Sequence, residues 1–233
     1  FHFNSTLAKE TYHSSLGQIQ SGRETVLPVS HAGIADRRKS RSYGKTLRIG
    51  YIGSWSEHKG FFTLLHACRW LVQNGCTDLE LHLYSSTARR TEPFVKNHPG
   101  FAPKELGAVM DSIDVLAVPS RWRETFGLVV LEAASFGVPV VMSEYVGARD
   151  ILRGNADAAF VYDGTLRGLK ETLYRIYMNR ELLVQANRCL QEMEFDFSFE
   201  NHAQRMRDIY RGSIEGDARR GDWHALAVSV PEG

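Results

Sequence analysis

From Leu47 onward, apolar runs of four to six residues alternate with longer stretches that repeat at helical spacing, and this alternation constrains the fold more than any other feature. LRIGYI at 47–52 ends at Gly53 and reads as a buried strand. Phe61, Leu64, Leu65, Cys68 and Leu71 then fall on one helical face, closed by Asn74-Gly75 as a C-terminal cap. LELHLY at 79–84 is a second strand, and residues 94–98 make a short third. Leu106, Val109, Met110 and Ile113 mark a helix, and the strand at 114–118 is stopped by Pro119. Helix 127–136, strand 138–142, a short helix at 148–153 after Gly147, and strand 159–162 follow. Helices over 165–178, 180–193 and 198–211 complete the pattern.

Strands that alternate with helices require crossover connections, which are right-handed and give a parallel sheet with both faces covered. The fold class is therefore α/β, a Rossmann-like parallel sheet with helices on both faces. Three units are expected: a lead-in and linker over 1–45, the sheet domain over 46–215, and an irregular tail over 216–233. Residues 1–26 show little periodicity, and 34–45 are polar and basic.

Composition removes several classes. Twenty-eight Lys and Arg against 27 Asp and Glu leave a net charge of +1, without the basic excess of a nucleic-acid binder. No apolar run reaches the roughly 20 residues that span a bilayer, and no signal-peptide pattern opens the chain. Cys68, Cys76 and Cys189 are odd in number and widely spaced, which predicts reduced thiols, a cytoplasmic location and no zinc site.

In a sheet of this kind, ligands bind beyond the carboxyl ends of the strands. Three such ends are chemically loaded: Gly53 to Gly60, Tyr84 to Ser86, and Pro119 to Leu128. In RWRETFGLVVLEAA a loop carrying Glu124 runs into a helix that starts near Phe126 or Gly127. The free N–H groups and positive dipole end of that first turn suit a phosphate, and Gly127 leaves room for a ligand at the backbone. Glu132 lies on an apolar helix, where an unpaired carboxylate costs several kcal/mol, so it must find donors. Sugar or ribose hydroxyls serve, and so would neighbouring backbone groups. Gly127 and Glu132 stand about 7–8 Å apart along the helix. Lys59 opens a helix, where the dipole disfavours a cation and an anionic partner would compensate it. His58, His82 and His98 are scattered and show no ligand spacing.

The run PSRWRETFGLVVLEAASFGVPVV, with Glu124 and Glu132 eight positions apart, resembles the E-x7-E signature of retaining glycosyltransferases of family 4, the group 1 glycosyltransferases of GT-B fold. VLPVSHAGI is similar to that family's interdomain segment, GFAPKELGAVMDSIDVLAVPS to the stretch before the signature, and FSFENHAQRMRDIY to its closing helix. The likeness covers residues 26–212, the family's C-terminal, nucleotide-sugar-binding domain.

The resemblance implies donor binding for retaining, metal-free transfer of a sugar, of hexosyltransferase type, to an acceptor hydroxyl. Glu124 would hold hydroxyls of the donor sugar, the backbone of Phe126, Gly127 and Leu128 would contact sugar and diphosphate, and Glu132 would hold the ribose diol. In GSWSEHKG, similar to the family's Gly-Arg-x4-Lys-Gly loop, Gly53 opens the turn and Lys59 would neutralise the diphosphate. Ser54 stands where the family often has arginine, and Arg123 is a candidate replacement for that cation. Phe101 would cover the base or pack in the core. Glu124 and Lys59 are thus the expected catalytic pair, with no cofactor and no metal. The partners implied are the nucleotide-sugar donor and an acceptor glycan, lipid or small molecule on an N-terminal domain preceding Phe1, without which activity should be weak. A peripheral position at the membrane fits the same family. A non-catalytic sugar-nucleotide-binding module and a GT-B nucleotide-sugar epimerase are the alternatives.

Overall fold

The computed structural model of the protein describes residues 1–17, 24–85, 89–152 and 156–220. In chain order its elements are β1 (His2–Phe3), α1 (Thr6–Leu16), β2 (Thr25–Val26), β3 (Leu47–Ile52), α2 (Phe61–Gln73), β4 (Leu79–Tyr84), β5 (Val95–His98), α3 (Leu106–Asp111), β6 (Val115–Val118), α4 (Leu128–Ser135), β7 (Val140–Ser143), β8 (Ala159–Tyr162), α5 (Leu166–Met178), α6 (Glu181–Glu192) and α7 (Phe199–Arg220). Single-turn 3₁₀ segments at Pro103–Glu105 and Ala156–Ala158, and a longer one at Gly147–Leu152, connect them.

The main sheet is parallel throughout, in the order β5-β4-β3-β6-β7-β8. Alternate residues of each strand enter different cores. Leu47, Ile49 and Tyr51 of β3, with Val115 and Ala117 of β6, pack beneath α2 and α5, where Phe61, Leu65, Cys68, Leu169 and Leu173 are buried. Leu116 and Val118 of β6, with Val140 and Met142 of β7, face Met110, Val130 and Leu131 of α3 and α4. Helix α6 reaches both clusters, through Leu183 and Ala186 on one side and Leu190 on the other. Each fully buried side chain of this size contributes about 1.5–3 kcal/mol. The buried Asp114 carboxylate is held by the Arg48 backbone N–H (2.8 Å) and guanidinium (2.6 Å), so the charge at the entry to β6 is fully partnered.

Two sequence expectations change. The aperiodic first 26 residues contain α1 between β1 and β2, which pair in parallel (His2 with Thr25, Phe3 with Val26). Alpha-helix is legible there only through Ser5, whose side chain accepts from the Ala8 N–H as an N-cap does. At the other end, α7 does not stop at residue 211 but continues through Arg220, so 216–220 are helical rather than irregular; the rest of the expected tail, 221–233, lies outside the described residues. No helix among the described residues is long and apolar enough to cross a membrane.

Chain order reverses between β3 and β6. From β3 the chain builds outward to β4 and β5, and from β6 it builds the other way to β7 and β8. These two strands are in register only at Ile49–Val115 and Gly50–Leu116. Past that point a crevice opens between their carboxyl ends, at the position where sheets of this class take their ligands.

Candidate functional site

The crevice is a cavity of about 190 Å³ lined by residues from both strand ends, including Tyr51, Gly53, Lys59, Ser120, Glu124 and Gly127. Its first wall is the loop from β3 to α2. That loop turns at Gly60, whose φ of +71° is left-handed and whose Cβ, if it had one, would lie 1.7 Å from the Pro119 carbonyl oxygen. The β3 and β6 loops therefore touch, an arrangement open only to glycine. The Arg121 N–H donates to the His58 carbonyl at 2.8 Å and ties the two loops a second time. The Tyr51 phenol donates to the Ser54 carbonyl (2.6 Å) and fixes the turn from below. Burial, reinforced by the Glu124 carboxylate, pushes that phenol above its ordinary range, so it stays protonated as a donor.

The second wall is the loop from β6 to α4. Its backbone is held almost continuously: the Glu124 N–H donates to Tyr145 (2.8 Å), the Glu124 carbonyl accepts from Gly147 (2.9 Å), and the Phe126 carbonyl accepts from Ala148 (2.7 Å). Gly127 caps α4 at a φ of +102°, the conformation that turns the chain into the helix. No side chain caps this N-terminus, and its first residues, Gly127, Leu128 and Val129, line the cavity.

Lys59 and Glu124, 65 positions apart in sequence, meet here: the ammonium donates to Glu124 Oε1 at 2.6 Å. Ser120, buried and accepting from Ser143 through its own carbonyl, donates to Glu124 Oε2 at 2.5 Å. The carboxylate is thus pinned on both oxygens. Sequence reasoning missed Ser120 as a site residue, although its place four positions before Glu124 was the available signal. Lys59 is the single cationic residue among those lining the cavity.

The remaining expected residues divide. Gly53 lines the cavity, and Ser54 is exposed beside it, with its hydroxyl 3.2 Å from that of Ser56. Phe126 is buried, so only its backbone faces the loop. Leu128 is exposed at the start of α4. Glu132 finds a side-chain partner in the linker rather than a backbone one: His31 Nε2 lies 3.4 Å from its Oε1. Phe101 is outside the cavity lining and packs edge-on against Tyr84, with ring centres 5.8 Å apart. Arg123 is exposed, donates to the Thr11 hydroxyl of α1 (3.3 Å) and is not among the residues lining the cavity. Arg121 pairs with Glu57 at 2.6 Å.

His82 and His98, which look scattered in the sequence, are neighbours across β4 and β5. Their rings stack at 5.1 Å, and Nδ1 of His82 lies 3.1 Å from Nε2 of His98. Burial first, and His82 second, hold His98 below the ordinary histidine range. Only knowledge of the strand pairing brings them together. Among the described residues no group of three or more His, Cys, Asp or Glu could hold a metal ion.

A family model described as "Glycosyl transferases group 1" matches residues 46–179. Among curated proteins, a phosphatidyl-myo-inositol mannosyltransferase of Propionibacterium freudenreichii subsp. shermanii is 28% identical over 145 residues, which are 61% of this chain and 38% of that protein. The chain thus spans about two fifths of that relative's length. Among solved structures, a sucrose-phosphate synthase from Thermosynechococcus elongatus superposes with a TM-score of 0.68 at 20% identity, over 92% of this chain and 58% of that one. Anabaena HepE in complex with UDP-glucose does so with a TM-score of 0.68 at 16% identity, over 91% and 63%. At these identities the structural likeness establishes the fold.

Proposed function

The chain belongs to the group 1 glycosyl transferases, and from that premise we propose that its cavity takes the diphosphate and sugar of a nucleotide-sugar donor, for transfer of the sugar to an acceptor hydroxyl with retention of configuration, as in family 4. The observation that carries this reading is the meeting of Lys59 and Glu124 beside the uncapped start of α4. One cation, one pinned carboxylate and a helix start without a side-chain cap provide for a diphosphate and a hydroxylated ring side by side.

In this reading the diphosphate takes the Lys59 ammonium and the first-turn amides of α4. Both stabilise the charge that builds on the leaving group, which is electrostatic catalysis by groups already in place. Glu124, released from Lys59 as the phosphate takes the ammonium, accepts from hydroxyls of the sugar. Ser120 keeps it oriented. Glu132, about one turn into α4, accepts from the ribose diol in place of His31. The carboxylates hold hydroxyls and do not divide acid and nucleophile roles as in glycosidases. The acceptor is presented by a second domain, in keeping with the 38% of the mannosyltransferase that this chain covers. The three cysteines are unbridged, and we place the reaction in the cytoplasm, at a membrane surface where the acceptor is a lipid.

The test is calorimetry with UDP and UDP-glucose on two variants. Glu132→Ala should weaken both ligands. Glu124→Ala should weaken UDP-glucose by roughly 1.5–3 kcal/mol per lost hydrogen bond, while leaving UDP unchanged or tighter because Lys59 is freed. Equal losses of both ligands in both variants refute the division of roles, and no binding of any UDP-, GDP- or ADP-sugar by the wild type refutes the site.

A further inference from the structure

The Glu124 loop has a second support, on the side away from the cavity, that comes from the first residues of the chain. Ser5 is completely buried. Its hydroxyl donates to the carbonyl of Thr125 at 2.5 Å and accepts from the Ala8 N–H at 3.0 Å, so one hydroxyl both caps α1 and grips the residue after Glu124. The contact joins positions 120 residues apart. Next to it the Thr6 N–H donates to the Asp150 carboxylate in the 3₁₀ segment after β7. Two turns along α1, the Thr11 hydroxyl accepts from Arg123, the residue before Glu124. Helix α1 therefore lies along the Glu124 loop and binds it on both flanks.

Gly147 makes this approach feasible. A Cβ there would stand 2.3 Å from the Thr125 carbonyl oxygen and 2.4 Å from Ser5 Oγ, filling the space through which they bond. Gly147 also donates its N–H to the Glu124 carbonyl. The carbonyls of Glu124, Thr125 and Phe126 are thus taken in turn by Gly147, Ser5 and Ala148. Ser5 is the one member of this set that comes from outside the sheet domain. Without it the middle carbonyl, in a partly buried setting, has lost its protein donor.

We propose that Ser5 is a positioning residue for the donor site: through Thr125 it sets the backbone that aims the Glu124 carboxylate, so that α1 and the donor-sugar pocket are mechanically one unit. This rests on the reading that Glu124 faces the donor sugar, and the experiment separates the two. The variants are Ser5→Ala, which removes the donor, and Gly147→Ala, which keeps the serine but forces Ser5 and the Thr125 carbonyl apart. Hydrogen exchange is followed over the peptides containing Glu124, Gly147 and Ala148, and UDP and UDP-glucose affinities are measured on the same samples. Both variants should speed exchange in those peptides and leave α2 unchanged. Both should weaken UDP-glucose about five- to tenfold, the worth of one hydrogen bond, with UDP affinity kept. If Ser5 only caps α1, Ser5→Ala speeds exchange in α1 alone and leaves the Glu124 peptide and UDP-glucose affinity as in the wild type, which overturns the proposal. Equal weakening of UDP and UDP-glucose also overturns it. If the wild type binds neither ligand, the donor reading has failed, and unchanged or faster loop exchange still decides whether α1 braces the loop.

Discussion

Gly60 and Gly75 make a controlled pair for testing the contact between the two loops of the cavity. Both have left-handed φ, +71° and +90°, so an alanine at either position meets the same backbone penalty of about 1–2 kcal/mol. They differ in what the new Cβ would touch. At Gly75 nothing lies within 4 Å; at Gly60 the Pro119 carbonyl oxygen is 1.7 Å away and its carbon 2.6 Å. A relaxed contact requires the loops to part by more than 1 Å, which breaks the Arg121–His58 hydrogen bond (2.8 Å) and costs about 2 kcal/mol more in packing and bonding. Gly75→Ala should therefore lose about 1.5 kcal/mol and Gly60→Ala about 3–4 kcal/mol. For a chain of this size that is about 5 °C and 10 °C in Tm. Lys59 adjoins the displaced residue, so Gly60→Ala should also weaken UDP at least tenfold, while Gly75→Ala leaves it unchanged. Differential scanning calorimetry and titration calorimetry on both proteins decide it. Equal Tm shifts would refute the close contact, and unaltered UDP affinity in Gly60→Ala would refute the dependence of the site on it.

Acid stability should depend on Glu92, which the guanidinium of Arg90, assisted by Arg69, holds at about 2 against an ordinary 4.5. Its folded pKa is depressed, so its stabilisation is present above pH 4.5 and is lost as pH falls toward 2; Glu92→Gln should flatten that limb of a stability–pH curve by about 1 kcal/mol after solvent screening, and parallel curves would disprove it. Burial pushes the Cys68 thiol up to about 12, whereas Cys189 is partly exposed. A thiol reagent at pH 8 should therefore label Cys189 and reach Cys68 only in denaturant, as mass mapping will show.

The sheet was legible because a buried parallel strand and an amphipathic helix leave different periodicities. The five apolar positions from Phe61 to Leu71 predict the buried face of α2, and each is buried. Boundaries slipped where packing rather than pattern ends an element: 138–142 became Val140–Ser143, since Pro139 gives up a carbonyl but no N–H to the ladder. Helix α1 was not legible, because its apolar residues are few and only Leu7 is buried; it is held by Ser5 and Asp150, contacts across more than a hundred residues that leave no local trace. At the site, the motifs brought Lys59, Glu124 and Gly127 to one crevice, but not the arrangement within it. That Arg123 turns to α1, that His31 reaches Glu132, and that His82 meets His98 all depend on where separate loops come to lie.

The direct pairing of Lys59 with Glu124 bears on how such a site can discriminate. With Arg121 engaged by Glu57 and Arg123 by Thr11, the cavity offers an anion one lysine and the amides of α4. An anion that takes the ammonium must compete with a carboxylate 2.6 Å away. That competition is unfavourable unless the displaced carboxylate gains new donors, because an unpaired, partly buried carboxylate costs more than an exposed one. A diphosphate alone displaces Glu124 without satisfying it. A diphosphate joined to a polyhydroxylated ring supplies both the charge for Lys59 and the hydroxyls for Glu124. If the cavity takes a nucleotide-sugar donor as proposed, the pair selects the conjugate over its fragments. The selection is only as sharp as the loop is rigid, since a carboxylate free to swing into solvent satisfies itself with water. Ser120 from within the cavity, and Ser5 and Gly147 from behind, restrict that escape, which is why the backing of the loop matters as much as the residues that face the ligand.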